Sequence, residues 1–139
     1  MSKIILVTGG ARGIGAATAR LAAARGYDVA INYASRPDAA EAVARDVSAA
    51  GRRAAIFRAD VASEAQVKAM FSGIDRELGR IDVLVNNAGI LHPMSRFEET
   101  PEGQFEAMFA VNVFGVVYAT REAIRRMAPR HGGKGGVIV

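Results

Sequence analysis

Short runs rich in isoleucine, valine and leucine alternate along this chain with longer stretches in which apolar residues return every three or four positions. Continuous apolar runs suit strands buried on both faces, and a period near 3.6 suits helices packed on one side. Lys3 to Val7 reads as a first strand, followed by a helix to Arg25 with Gly26 as its stop. Asp28 to Tyr33 is a second strand. Pro37 sits just inside the next helix, which carries Ala39, Ala42, Val43 and Val47 on one face and stops at Gly51. Arg53 to Ala59 gives a third strand. Ser63-Glu64-Ala65-Gln66 is a capping box, in which the serine and glutamine side chains each satisfy a free N–H; its helix ends at Gly79. Ile81 to Val85 is a fourth strand, running into Asn86-Asn87-Ala88-Gly89 and a loop with Pro93. Thr100-Pro101 opens one long helix to about Met127, and Gly135 to Val139 begins a fifth strand. Strands alternating with helices predict an α/β fold with a doubly wound parallel sheet.

The middle of the long helix, Met108 to Val117, is apolar nearly all round and is expected to be covered on more than one side. Asn112 lies inside it. An amide there must find partners, since leaving it unpaired costs about 1–3 kcal/mol, and the residues alone favour a structural asparagine bonded to nearby backbone.

Between the first strand and first helix stands Thr8-Gly9-Gly10-Ala11-Arg12-Gly13-Ile14-Gly15. A strand that reverses directly into a helix needs glycine where side chains would block the turn, a ligand or the packing of helix on sheet. The helix start then directs unpaired N–H groups and a positive dipole end at a phosphate. Glycine turns also occur without a ligand, so this run alone leaves both readings open.

Composition narrows the choices. The chain has 139 residues, half of them hydrophobic, enough for one domain with a sizeable core. It has no cysteine, which removes thiolate metal sites and thiol catalysis, and its two histidines lack metal-ligand spacing. No leader-like segment is recognised and no apolar stretch reads as a membrane span, so a cytoplasmic protein is expected. The net charge is +4, but the arginines are spread among acids. Only Arg121, Arg125, Arg126, Arg130, His131 and Lys134 approach a cluster, read as a solvated helix end rather than a nucleic-acid surface.

The order of Thr8-Gly9 to Gly15, Asp60-Val61 after the third strand, Asn86-Asn87-Ala88-Gly89 after the fourth, Asn112 in the long helix and the Gly-Val-Ile-Val start of the fifth resembles the short-chain dehydrogenase/reductase family, classical type, over the whole chain. The resemblance implies a Rossmann-type sheet of order 3-2-1-4-5 and hydride transfer between a nicotinamide and a carbonyl or secondary alcohol. It implies that Gly9, Gly10, Ala11, Arg12, Gly13, Ile14 and Gly15 form the cofactor turn at the pyrophosphate and ribose. Asp60 and Val61 would flank the adenine, Asn87, Ala88 and Gly89 would lie beside the adenosine ribose, and Asn86 would help hold the central strands. Read from the residues alone, Asp60 is equally a helix cap and Asn86-Asn87 a plain turn.

Cofactor choice follows from charge. A carboxylate at the end of the second strand favours NAD by accepting from its 2′-hydroxyl and repels the 2′-phosphate of NADP. That position is Tyr33, followed by Ala34, Ser35 and Arg36 with no acid before Asp38. Arg12 and Arg36 are expected to close on the phosphate with Ser35 donating a further bond, so NADP is the expected cofactor and NAD the less favoured one.

Of the family's catalytic set only Asn112 falls within these residues; the serine and Tyr-x-x-x-Lys pair expected further on do not, and neither Tyr33 nor Tyr118 is followed four residues later by lysine. Residues 1–139 are therefore read as the amino-terminal half of a longer single-domain reductase, inactive alone. A stand-alone dinucleotide-binding module without catalysis is the alternative. By analogy the whole protein is expected to be a homo-tetramer, with no nucleic-acid or membrane partner. Ile90 to Phe97, with His92 and Met94, would border the substrate mouth, and the substrate itself is not legible.

Overall fold

The computed structural model describes residues 2–139. Its parallel sheet is built from β1 (Ile4–Val7), β2 (Asp28–Tyr33), β3 (Ala54–Arg58), β4 (Val83–Val85) and β5 (Val137–Ile138), in the order β3-β2-β1-β4-β5. Ile4 to Val7 pair with Asp28 to Ile31 on one side, and Ile5 to Val7 with Val83 to Val85 on the other. Helices α1 (Gly13–Ala24), α2 (Pro37–Ala49) and α3 (Glu64–Glu77) connect the strands. The expected Rossmann-type, doubly wound sheet is thus present, with β4 starting two residues later than the pattern suggested; just before it, the Asp82 carboxylate accepts the Ile4 N–H at 2.8 Å.

Strands β1 to β4 divide their side chains between two cores. Ile5, Val7, Val29 and Ile31 face α1 and α2, meeting Ala16, Ala19, Ala23, Val43 and Val47. Ile4, Leu6, Ala30 and Leu84 face the other way, against Val67, Phe71 and Ile74 of α3 and Ala119 and Ala123 of the last helix. The alanines let the helix axes approach the sheet closely. Burying each large aliphatic side chain contributes about 1.5–3 kcal/mol.

The expected long helix runs over Glu102–Met127, with one change of winding inside it. α4 (Glu102–Phe109) passes into a π-turn over Ala110–Phe114 and resumes as α5 (Gly115–Met127). Together, Glu102–Met127 reaches the length of a membrane span and contains an 18-residue stretch of mean hydropathy 1.2, contrary to the sequence reading. Its Ala119, Ala123 and Met127 are buried against the sheet, as in the core helix of an α/β domain. The expected cover on more than one side is also incomplete, for Phe109 and Phe114 remain 56% and 50% exposed.

Two polar details depart from the pattern. Ser63 caps α3 by accepting from the Gln66 N–H at 3.3 Å, but the Gln66 side chain accepts from the Asp60 N–H at 2.8 Å instead of reaching back to Ser63. Arg126, read as part of a solvated helix end, is largely buried. It lies over the Phe71 ring at 5.0 Å and donates to Asp75 and Glu122.

At the N-terminal end of β2, Asp28 is completely buried. Burial opposes its ionisation, but hydrogen bonds from Ser2, the Arg53 N–H and the Arg52 and Arg53 guanidinium groups outweigh that and hold the carboxyl well below its ordinary range.

Candidate dinucleotide site

A cleft of about 690 Å³ opens at the C-terminal ends of β1, β2 and β4. Strand order reverses there, since β1 runs to β2 on one side and its other neighbour is β4, and such switch points are where doubly wound sheets hold ligands. Three walls converge on it: the glycine turn with Gly9, Ala11, Arg12 and Gly13; the segment after β2 with Tyr33, Ala34, Ser35 and Arg36; and Asp60, Val61, Asn87, Ala88, Gly89 and Ile90 from the loops after β3 and β4.

The glycine turn is anchored on both flanks. Asn32, buried at the end of β2, accepts the Gly9 N–H on its side-chain oxygen at 3.1 Å, and its carbonyl accepts the Gly10 N–H at 2.8 Å. Its amide nitrogen donates to the carbonyls of Phe57 and Ala59 at 3.3 and 3.1 Å, so the turn is tied through Asn32 to β3. On the other flank Asn87 donates from its side chain to the carbonyls of Thr8 and Gly9, both at 3.0 Å. The Thr8 hydroxyl accepts from the N–H groups of Asn87 and Ala88. Asn32 escaped the sequence reading because it continues an otherwise apolar strand; a single amide directly before the expected selectivity residue was the available signal.

Within the turn the glycines divide their work. A Cβ on Gly15 would lie 2.3 Å from the Gly9 carbonyl oxygen and 2.5 Å from the Asn87 amide, so this position packs helix onto turn. Gly10 is likewise closed in by the Val7 carbonyl and the Ile31 side chain. Neither Gly10 nor Gly15 borders the cleft, nor does Ile14, whose side chain is 79% exposed. Gly13 differs: at φ +54° its missing Cβ faces open space at the cleft. α1 starts here without any side-chain cap and without an acid in its first turn, leaving its first N–H groups and dipole end available to an anion.

The remaining expected residues take the following places. Asp60 commits one carboxylate oxygen to the Ala62 N–H at 2.9 Å, an Asx turn ahead of the Ser63 cap, while still bordering the cleft. Val61 is buried in the α3 and α5 core and shows one side to the cleft. Asn86 donates its N–H to the Val139 carbonyl at 2.7 Å and its side chain to Thr120 at 3.4 Å, joining β4 to β5 and α5. Asn112, in the π-turn, accepts the Ile90 N–H at 2.8 Å and donates to the Ile90 carbonyl at 2.9 Å, the backbone-bonded role that the residues alone suggested. Arg36 borders the cleft but is engaged by Asp38, whereas Arg12 is exposed and has no ion-pair partner among the described residues.

A doubly wound sheet with a glycine turn and an uncapped helix at its switch point is the dinucleotide-binding form of α/β architecture. The chain belongs to the short-chain dehydrogenase family, whose model matches residues 3–139. It is 45% identical over 136 residues to YgfF, an uncharacterised oxidoreductase of Escherichia coli strain K12, covering 98% of this chain and 55% of that protein. It is 39% identical over 132 residues to 2,3-dihydro-2,3-dihydroxybenzoate dehydrogenase of Bacillus subtilis strain 168, covering 94% and 49%. Among solved structures, a short-chain dehydrogenase from Burkholderia cenocepacia J2315 in complex with NADP superposes with a TM-score of 0.84 at 41% identity, covering 88% of this chain and 50% of that one. A doubly substituted short-chain dehydrogenase/reductase from Serratia marcescens gives 0.85 at 41%, with 88% and 50% covered. The chain therefore spans about half the length of the relatives it matches.

Proposed function

We propose that residues 1–139 form the cofactor-binding half of an NADP-dependent oxidoreductase that moves a hydride between nicotinamide and a carbonyl or secondary alcohol. The observation that carries this reading is the charge of the cleft: Arg12 and Arg36 border it, and Tyr33 stands where an NAD site places a carboxylate. The NADP-bound Burkholderia relative supports the same choice.

The residues present fit such a cofactor. Gly13 leaves open space in front of the uncapped α1 terminus, which suits a pyrophosphate approaching backbone N–H groups closely. Ser35 with the two arginines would hold the 2′-phosphate, Asp60 and Val61 would flank the adenine, and Ala88 and Gly89 would lie beside the adenosine ribose. When bound, NADPH supplies the hydride. Asn87 positions the turn through Thr8 and Gly9, and Asn112 positions the loop at Ile90 that borders the cleft. Proton transfer and carbonyl polarisation belong to a serine and a Tyr-x-x-x-Lys pair expected in the remainder of a longer protein, as do a homo-tetrameric state and a cytoplasmic setting.

The test is a fluorescence titration of the whole protein with NADPH and NADH. NADPH is expected to bind more tightly, and the double substitution Tyr33→Asp with Arg36→Ala should weaken it about tenfold or more while sparing NADH, by adding repulsion and removing a charge-assisted bond. Equal affinity for the two cofactors before mutation would overturn the reading.

A further inference from the structure

Arg36 borders the cleft, yet its guanidinium is held in a carboxylate fork. Its Nε donates to Asp38 Oδ1 at 3.2 Å and its Nη2 to Oδ2 at 3.1 Å. Two parallel N–H to oxygen bonds are also what an arginine offers a phosphate. Asp38 stands outside the cleft wall, in the first turn of α2, where the positive end of the helix dipole favours its charge. The hydrogen bond from Arg36 holds the Asp38 carboxyl below its ordinary range, so it remains ionised wherever the 2′-phosphate is dianionic. Two consequences follow. The Nε–Nη2 edge of Arg36 is already taken, and one of the two positive charges at this end of the cleft is paired with a carboxylate. Arg36 and Asp38 are 53% and 70% exposed, so their pair is weak enough for a phosphate to displace.

We propose that Asp38 is a specificity-determining residue, competing with the 2′-phosphate of NADP for the Arg36 guanidinium and thereby limiting the preference for NADP over NAD. This inference rests on the NADP reading of the cleft. It makes selectivity a balance between Arg12, which has no ion-pair partner among the described residues, and Arg36, whose charge is shared with Asp38.

The experiment measures 2′,5′-ADP and 5′-AMP binding to the whole protein by calorimetry, in wild type, Asp38→Asn, Arg36→Ala and the double variant. Wild type is expected to bind 2′,5′-ADP more tightly than 5′-AMP; if it does not, the NADP reading itself fails and takes the inference with it. Given that preference, Asp38→Asn should tighten 2′,5′-ADP about two- to fivefold, the range an exposed ion pair is worth, and leave 5′-AMP unchanged. The gain should vanish in the Arg36→Ala background. Unchanged or weaker 2′,5′-ADP binding in Asp38→Asn would overturn the proposal by showing that Asp38 leaves Arg36 free or presents it to the phosphate. Equal tightening of both ligands, or a gain that survives Arg36→Ala, would overturn it as well.

Discussion

Asn112 and Ile90, 22 positions apart, are joined by a reciprocal pair of hydrogen bonds in which the side-chain amide acts as a strand partner for one backbone residue. The π-turn over Ala110–Phe114 carries this asparagine, and Gly89 lies against its side-chain oxygen, where a Cβ would come within 3.3 Å. The loop after β4 is thus fixed to the helix by one amide.

Replacing that amide by a carboxylate should break one of the two bonds. In an Asn112→Asp variant the second oxygen would face the Ile90 carbonyl, and the whole protein should lose about 2 kcal/mol at neutral pH. A protonated acid can donate to that carbonyl, and the repulsion raises the folded-state pKa above its unfolded value. Stability should therefore return as pH falls toward about 4. Urea denaturation at several pH values checks this; a deficit independent of pH would refute the assigned geometry.

Gly13 and Gly15 should respond differently to one methyl group. Gly15→Ala drives a Cβ into the Gly9 carbonyl, so it should destabilise the turn by about 2–3 kcal/mol and abolish nucleotide binding. Gly13→Ala meets no protein atom and should cost only about 1 kcal/mol for its positive φ, while weakening 2′,5′-ADP by crowding the cleft. Thermal melts paired with calorimetry separate the two.

Asp28 should make the fold acid-sensitive. Its folded pKa lies below the unfolded value, so its contribution is complete above about pH 4 and is lost as pH falls toward the folded pKa. Asp28→Asn should cost about 3 kcal/mol at pH 7 and flatten the acid limb of the stability profile. An unchanged acid limb in the variant would count against this role.

A polypeptide of these 139 residues alone should show no NADPH oxidation with carbonyl substrates, because the serine and Tyr-x-x-x-Lys pair expected to supply the proton at the carbonyl oxygen do not fall among them. Turnover above background by material of verified mass would contradict that expectation.

The strands, the helices and the three loop segments of the cleft were legible because each rests on local periodicity or on residues spaced along one connection, whereas the sheet order came only with the family resemblance, since strand pairing is not local. The π-turn was not, since one extra residue in a helical turn leaves no mark on a stretch that is apolar nearly all round. Arg126 looked solvated because its partner Asp75 lies 51 positions away, beyond any local pattern. The same limit hid Asn32, whose partners Gly9, Phe57 and Ala59 come from three separate segments. The Arg36 and Asp38 pair is local, but a spacing of two residues does not say whether two side chains turn toward each other.

β2 carries a polar side chain at each end, Asp28 and Asn32, with only apolar residues between them. Both positions are buried on the same side of the strand, and both bond β3 or its flanking backbone, Asp28 at the Arg53 N–H and Asn32 at the Phe57 and Ala59 carbonyls. An apolar strand slides past its neighbour with little penalty, but a one-residue slip here would strand a charge and an amide among the aliphatic side chains of the α1 and α2 layer. The two ends therefore act as pins that set the register of β2 on β3, and because Asn32 also holds the Gly9 and Gly10 N–H groups, the glycine turn at the cleft is indexed to that register.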